Sequence, residues 1–357
     1  MLNRKTNEPR PGRQSFEQKS RTRLAWFVFS LVFSWGLGVF ALQCGSYRFR
    51  DPEFHAKLSH LERLLAQEPR RPLWLMLGSS KVADGLKPDL VSRAPDEPIV
   101  FNFAHPGGKV LWQYLALRRL LDEGIRPEWL GIEIMGPTLS RNVELIWADW
   151  GTAGTLRYQE LIFHRPFASN YEELRRVWWH AHLSPNLVCR QVIDALLDRD
   201  RDAFDRFGWR QKVRASVTRE DYAVMVEIRR KEYLQYWKGF AIGDEADHCL
   251  RALLDLCQAR GIKTFLYEMP ETAQFRGFYP ASARAQIENY LGRITAEYRI
   301  PWVNAQDWVA DSGYSDGLHL ILPGAEKFST RFREEVFKPF VRQWPIQPLA
   351  TADQQTR

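Results

Sequence analysis

The chain is poor in cysteine: four residues in 357, at Cys44, Cys189, Cys249 and Cys257. None of them forms a Cys-x-x-Cys pair, which argues against a structural zinc and against a dense disulfide framework. Cys249 and Cys257 stand eight apart in a helical pattern and read as buried thiols, with one disulfide left open by an oxidising compartment. Histidine is also scarce, with eight in all. His180 and His182 form the single His-x-His, but side chains two apart on a helix diverge, so packing or surface roles are expected rather than metal binding. His248 beside Cys249 lacks any partner spacing. No metal and no cofactor are expected, and no internal repeat is visible.

A basic body is missing too, although the formal net charge is +7. Seven basic residues (Arg4, Lys5, Arg10, Arg13, Lys19, Arg21, Arg23) and two acidic ones (Glu8, Glu17) precede Leu24, so +5 belongs to this tail and +2 to all the rest. The body therefore has no case for phosphate-backbone binding, and no nucleic-acid partner is expected.

Charge is absent altogether from Leu24 to Leu42. A helix of that length spans roughly 28 Å, close to the bilayer core of about 30 Å. With a cationic flank on its N-terminal side it reads as a membrane anchor over residues 24–43. The tail 1–23 then stays inside, and the body lies in the periplasm or outside the cell. A cleaved signal peptide competes with this reading, but the apolar run is long for one, and Ala41-Leu42-Gln43 before Cys44 is neither a small-x-small site nor a good lipobox.

What remains is ample for a core, with 45% hydrophobic residues in the chain. Residues 44–70, with His55, Leu58, Leu61, Leu64 and Leu65, read as an amphipathic helix, either a stalk or the first packing helix. Short apolar strands are expected at Leu73–Leu77, Pro98–Phe103, Pro127–Met135, Ile262–Glu268 and Ile300–Ala305. Helices are expected at Lys109–Glu123, Ala246–Arg260, Pro280–Tyr298 and Gly324–Gln343. Strands alternating with helices predict a five-stranded parallel sheet in a three-layer α/β/α sandwich spanning 71–343. The rhythm breaks between about 136 and 240, where Arg-rich, aromatic segments (Trp147, Trp150, Trp178, Trp179, Trp209, Trp237) predict a helical insertion whose tryptophans are mainly buried. The end, 344–357, reads as a flexible tail.

Right-handed crossovers place the C-terminal strand ends on one edge, where open α/β sheets bind ligands. Gly78-Ser79-Ser80 follows the first strand there. A serine at a strand-to-helix turn suits a nucleophile, because helix N-H groups face a developing oxyanion; alone, it reads equally as an N-cap. Ala104-His105-Pro106-Gly107-Gly108 follows the second strand and offers tight turns and a backbone donor, with His105 beside it. Glu133 interrupts the third strand. Near the C-terminus, Asp316-Gly317-Leu318-His319 spaces a carboxylate and an imidazole so that one orients the other.

Together these stretches resemble the SGNH/GDSL hydrolase superfamily. Gly78-Ser79-Ser80 stands where the family has Gly-Asp-Ser, Asn102 to Gly107 resembles its second block, and Asp316 to His319 its last; the likeness covers about 70–135 and 245–342. The resemblance implies a flavodoxin-like fold, with Ser80 as nucleophile, His319 as general base and Asp316 as its orienter. It also implies the Ser80 and Gly107 N-H groups as oxyanion donors, with Asn102, Gly108 and His105 close by. Two departures stand out: Ser79 replaces the Asp, and Met135-Gly136-Pro137-Thr138 replaces the Gly-x-Asn-Asp block. The missing Asn leaves Thr138 or Asn142 as substitutes. The Gly-Ser-Ser form, the anchor and the insertion look most like the exported branch similar to alginate O-acetylation and teichoic-acid D-alanylation proteins. That likeness implies an acylated polysaccharide or other ester as substrate and a membrane-bound acyl-transfer partner. A catalytically weak binding or assembly protein on the same fold is the alternative.

Overall fold

A computed structural model describes residues 11–44, 47–142, 155–163, 171–184, 193, 203–211 and 213–343. Trp147, Trp150, Cys189, residues 1–10 of the basic tail and everything after 343 lie outside the described residues.

The N-terminal helix, α1 (Pro11–Cys44), carries a stretch from Lys19 to Phe40 that is long and apolar enough to cross a membrane, and none of it is buried in the protein. Trp26, Phe27, Phe29, Phe33 and Phe40 all stand exposed along it. A helix of this length and apolar surface near the N-terminus has the dimensions that an anchor or a signal sequence needs. After a turn of helix at Tyr47–Arg50, α2 (Pro52–Gln67) begins at the Asp51 N-cap, whose carboxylate accepts the Phe54 N-H at 3.1 Å. Leu58, Leu61 and Leu64 turn its apolar face inward, as the spacing predicts.

The body holds a five-stranded, all-parallel sheet. Its strands are β1 (Leu73–Leu77), β2 (Ile99–Asn102), β3 (Trp129–Glu133), β4 (Lys263–Glu268) and β5 (Trp302–Asn304), in the order β2-β1-β3-β4-β5. All five fall where the apolar runs predict them: β1 matches its expected span, and the other four are trimmed by one to four residues in all. Met76 pairs with Asn102, Leu77 with Ile132 and Glu133 with Tyr267, so the C-terminal ends of β2, β1, β3 and β4 come together.

Connecting helices are α3 (Ser80–Gly85), α4 (Val110–Asp122), α5 (Tyr171–Leu183), α6 (Arg219–Trp237), α7 (Asp244–Ala259), α8 (Ala281–Tyr298) and α9 (Leu322–Phe332). A π-helical turn at Arg333–Phe337 and a short helix at Lys338–Gln343 continue α9.

Alternation along β1 decides the layers. Leu73, Leu75 and Leu77 pack with α2, α4, α7 and α8 on one face, while Trp74 and Met76 pack with α3, α9 and the π turn on the other. All five β1 residues are buried, and side chains of this size contribute about 1.5 to 3 kcal/mol each. A run buried on both faces has no polar positions, which is why β1 reads as continuous rather than alternating.

The insertion has a defined neck. Ser140 and Ile242 form an antiparallel bridge, and Gly243 N-H donates to Leu139 O at 2.8 Å. Among its tryptophans, Trp178, Trp209 and Trp237 are buried and Trp179 is exposed. His182 is buried as well: its Nδ1 bonds Trp178 O at 2.9 Å and its ring lies 4.2 Å from that of Trp178, so it packs the insertion. Cys249 and Cys257 are free, buried thiols.

Candidate active site

The turn after β1 is built by Ser79, not Ser80. Ser79 is the N-cap of α3, its Oγ accepting the Lys81 N-H at 3.2 Å, so the capping role that competed for Ser80 falls to its neighbour. Ser80 takes the first helical position, with its Oγ free for other partners. Its N-H is a helix-opening donor with no acceptor among the described residues.

Glu133, at the end of β3, supports this turn from beneath. Its buried carboxylate accepts the Ser79 N-H. Burial pushes the Glu133 carboxyl up, against the nearby Lys81 ammonium and the Ser79 hydrogen bonds, which pull it down. Gly78 is required for this approach, because a Cβ there would collide with Val82 and Glu133. Lys81 is itself neutralised by Glu271 at 2.8 Å, and Tyr279 donates to the same carboxylate. Tyr267 OH donates to Leu77 O at 2.9 Å, which pins the strand end from the far side of β3.

Ser80, His319 and Asp316 stand in one hydrogen-bonded line. Ser80 Oγ lies 2.7 Å from His319 Nε2, and His319 Nδ1 lies 2.7 Å from Asp316 Oδ2. The segment Tyr314–Leu320 is closed on itself by a Tyr314-Leu320 bridge, and Gly317 turns it with φ +88°, a left-handed conformation that favours glycine. Asp316 Oδ1 accepts the N-H groups of Leu318 at 3.1 Å and His319 at 2.8 Å. Arg229, from α6 of the insertion, donates its Nε to Asp316 Oδ2 at 2.8 Å. Burial raises the Asp316 carboxyl, but the bonds from His319 and Arg229 outweigh it and hold the group well below the usual carboxylate range.

A small cleft of about 100 Å³ opens over Ser80 and His319, and Gly107, Gly108, Glu133 and Thr138 form part of its wall. Gly107 has φ +72° and presents an N-H that bonds nothing among the described residues. Gly108 lets the two loops touch, since a Cβ there would strike the carbonyls of Gly78 and His105. Lys109 also lines the cleft; burial pushes its ammonium down to about 7, against the field of Glu245.

Four expected contributors take other roles. Asn102 is wholly buried beneath the loops, its Nδ2 donating to Val82 O at 2.8 Å and Leu86 O at 2.9 Å, so it braces α3 and does not line the cleft. His105 bonds Pro106 O through Nδ1 at 2.7 Å and stacks on Trp112, outside the cleft wall. Thr138 lines the cleft, yet its hydroxyl donates to Met135 O at 2.7 Å and is not free for an oxyanion. Asn142 donates to Lys238 O at the insertion neck.

No family model matches this chain, and no curated protein matches it either. The geometry must therefore speak for itself. Two contributors had no local signal or only a faint one. Arg229 sits 87 positions from Asp316 in an ordinary charged helix. Glu133 announces itself only as a carboxylate in an otherwise apolar strand, a rare placement without a partner.

Proposed function

We propose that the chain is a serine esterase or O-acyltransferase of the SGNH/GDSL type. It acts on acyl esters, acetyl esters foremost, of a cell-envelope or extracellular polysaccharide. One observation carries the chemistry: the continuous 2.7 Å contacts from Ser80 to His319 and from His319 to Asp316 at the C-terminal edge of a parallel sheet. The polymer is supported only by the resemblance in the Gly-Ser-Ser turn, the apolar α1 and the helical insertion. Those same features support a single-pass anchor, with the basic tail inside and the body periplasmic or extracellular.

In this reading Ser80 Oγ bonds the acyl carbon as its proton passes to His319 Nε2. The Ser80 and Gly107 N-H groups stabilise the oxyanion. Collapse breaks the ester C-O bond, and the His319 proton leaves on the alcohol oxygen. Water or a sugar hydroxyl then attacks the acyl-serine and gives its proton to His319, which passes it to Ser80 Oγ as the acyl-serine bond breaks. Asp316 keeps the imidazole oriented and offsets its charge.

A fluorophosphonate ester tests the nucleophile. The folded wild type is expected to form a covalent adduct at Ser80, and Ser80→Ala is expected to form none. An intact wild type that takes no label overturns the enzyme reading, leaving a binding or assembly protein. Equal labelling of Ser80→Ala overturns the assignment of the nucleophile.

A further inference from the structure

Among the described residues of the helical insertion, Arg229 places its guanidinium directly on the candidate triad. Its Nε donates to Asp316 Oδ2 at 2.8 Å, and that is the oxygen facing His319 Nδ1 at 2.7 Å. The other face of the guanidinium is held by Glu232, one turn along α6, at 2.6 Å. Both Asp316 oxygens are thus saturated by Arg229, His319 Nδ1 and two backbone N-H groups.

We propose that Arg229 is a positioning residue: it locks the Asp316 carboxylate and, by sharing Oδ2 with His319, lowers the pH at which Ser80 becomes active. The proposal rests on the triad reading above. It gives the insertion a part in the chemistry beyond covering the sheet edge. Physically, a fixed cation beside the carboxylate weakens the carboxylate's pull on a protonated imidazole, so the neutral, base-competent imidazole persists to lower pH. A hydrogen bond to a charged acceptor also restricts the carboxylate to one orientation. Other titratable or charged groups face the same site. From α3 comes Asp84, whose carboxyl burial pushes up; from the segment 203–211 comes Arg210, 3.9 Å from Asp84; from α6 come Tyr222 and Glu232. Asp84, Arg210 and Tyr222 make no bond to Arg229, whereas Glu232 loses its partner when Arg229 is changed, which is why Glu232 is varied separately.

The test follows the rate of fluorophosphonate labelling of the full-length protein against pH, with folding checked by circular dichroism. Wild-type labelling at Ser80 is the precondition, and its failure strikes the triad reading, not this inference alone. Given labelling, Arg229→Met is expected to move the midpoint of the acid limb upward by about one pH unit and to lower the plateau rate. Arg229→Lys, which keeps the charge and loses the fixed fork, is expected to restore the midpoint more than the plateau. Glu232→Gln, which removes the competing carboxylate, is expected to move the midpoint the other way. A folded Arg229→Met with the wild-type midpoint overturns the proposal. Should Arg229→Met not fold, an unchanged midpoint in Glu232→Gln overturns it instead.

Discussion

The two sides of the Ser80 cleft are built on opposite plans. On the side of His319, the proposed base, both carboxylate oxygens that orient the imidazole are bonded: Asp316 takes bonds from Arg229, His319 and two backbone N-H groups. On the side of Gly107, the N-H groups of Ser80 and Gly107 bond nothing among the described residues. The difference teaches where each kind of pre-organisation is needed. A base must hold one tautomer and one orientation before substrate arrives, so its supports are saturated in advance. A donor for an oxyanion must be rigid yet unclaimed, because its acceptor exists only during the reaction.

Breaking the saturated side is expected to have the largest effect. Asp316→Asn should lower acyl transfer or labelling by about 10³- to 10⁴-fold with the fold intact. A loss under tenfold, measured at the plateau of the pH profile, would make His319 independent of its partner and void the contrast. On the open side the rigid part is the contact between loops. Gly108→Ala forces a methyl against two carbonyls, and should cost about 3 kcal/mol of stability by denaturant unfolding, the upper end for overpacking. Gly107→Ala is the graded counterpart. Nothing lies within 4 Å of its added Cβ, so only the left-handed backbone opposes it, at about 1 kcal/mol. A stability loss equal to that of Gly108→Ala would show the open side to be as closely packed as the other.

A further prediction concerns the sheet that carries both sides. Burial, helped by the neighbouring Glu271, pushes the Glu268 carboxyl up to about 8, against the field of Lys81. Here an acid holds its proton longer in the folded state than in the unfolded one, so stability is fullest below the unfolded value of about 4.5 and declines as pH rises toward 8. Glu268→Gln should flatten that slope in a urea titration series. An unchanged slope would mean that Glu268 is ionised in the native sheet.

Much of this site is legible in one dimension, and the illegible part has a common character. The apolar runs, the Gly-Ser-Ser turn and Asp316-x-x-His319 are local patterns set by strand burial, turn geometry and helix spacing. Asn102 misleads because an amide at a strand end suits a ligand and a loop brace equally, and only its contacts with Val82 and Leu86 decide between them. Thr138 misleads in the same way, since its hydroxyl is spent on Met135 three residues back. Ser79 and Ser80 are chemically alike, and helix entry alone assigns the cap to one and frees the other.

By itself, then, the sequence determined the parallel α/β body, the apolar N-terminal helix, the place of the insertion and the candidates Ser80, Asp316 and His319. Each of these depends on residues close together in the chain, where hydrophobic period and turn chemistry act. Tertiary structure alone decided that Glu133 would lie under the Ser79 turn, that Gly108 would let two loops meet, and that Arg229 would close on Asp316. Those contacts join residues 30, 54 and 87 positions apart. At such separations no local preference specifies a partner; only the packing of the whole sheet and its insertion brings the charges together.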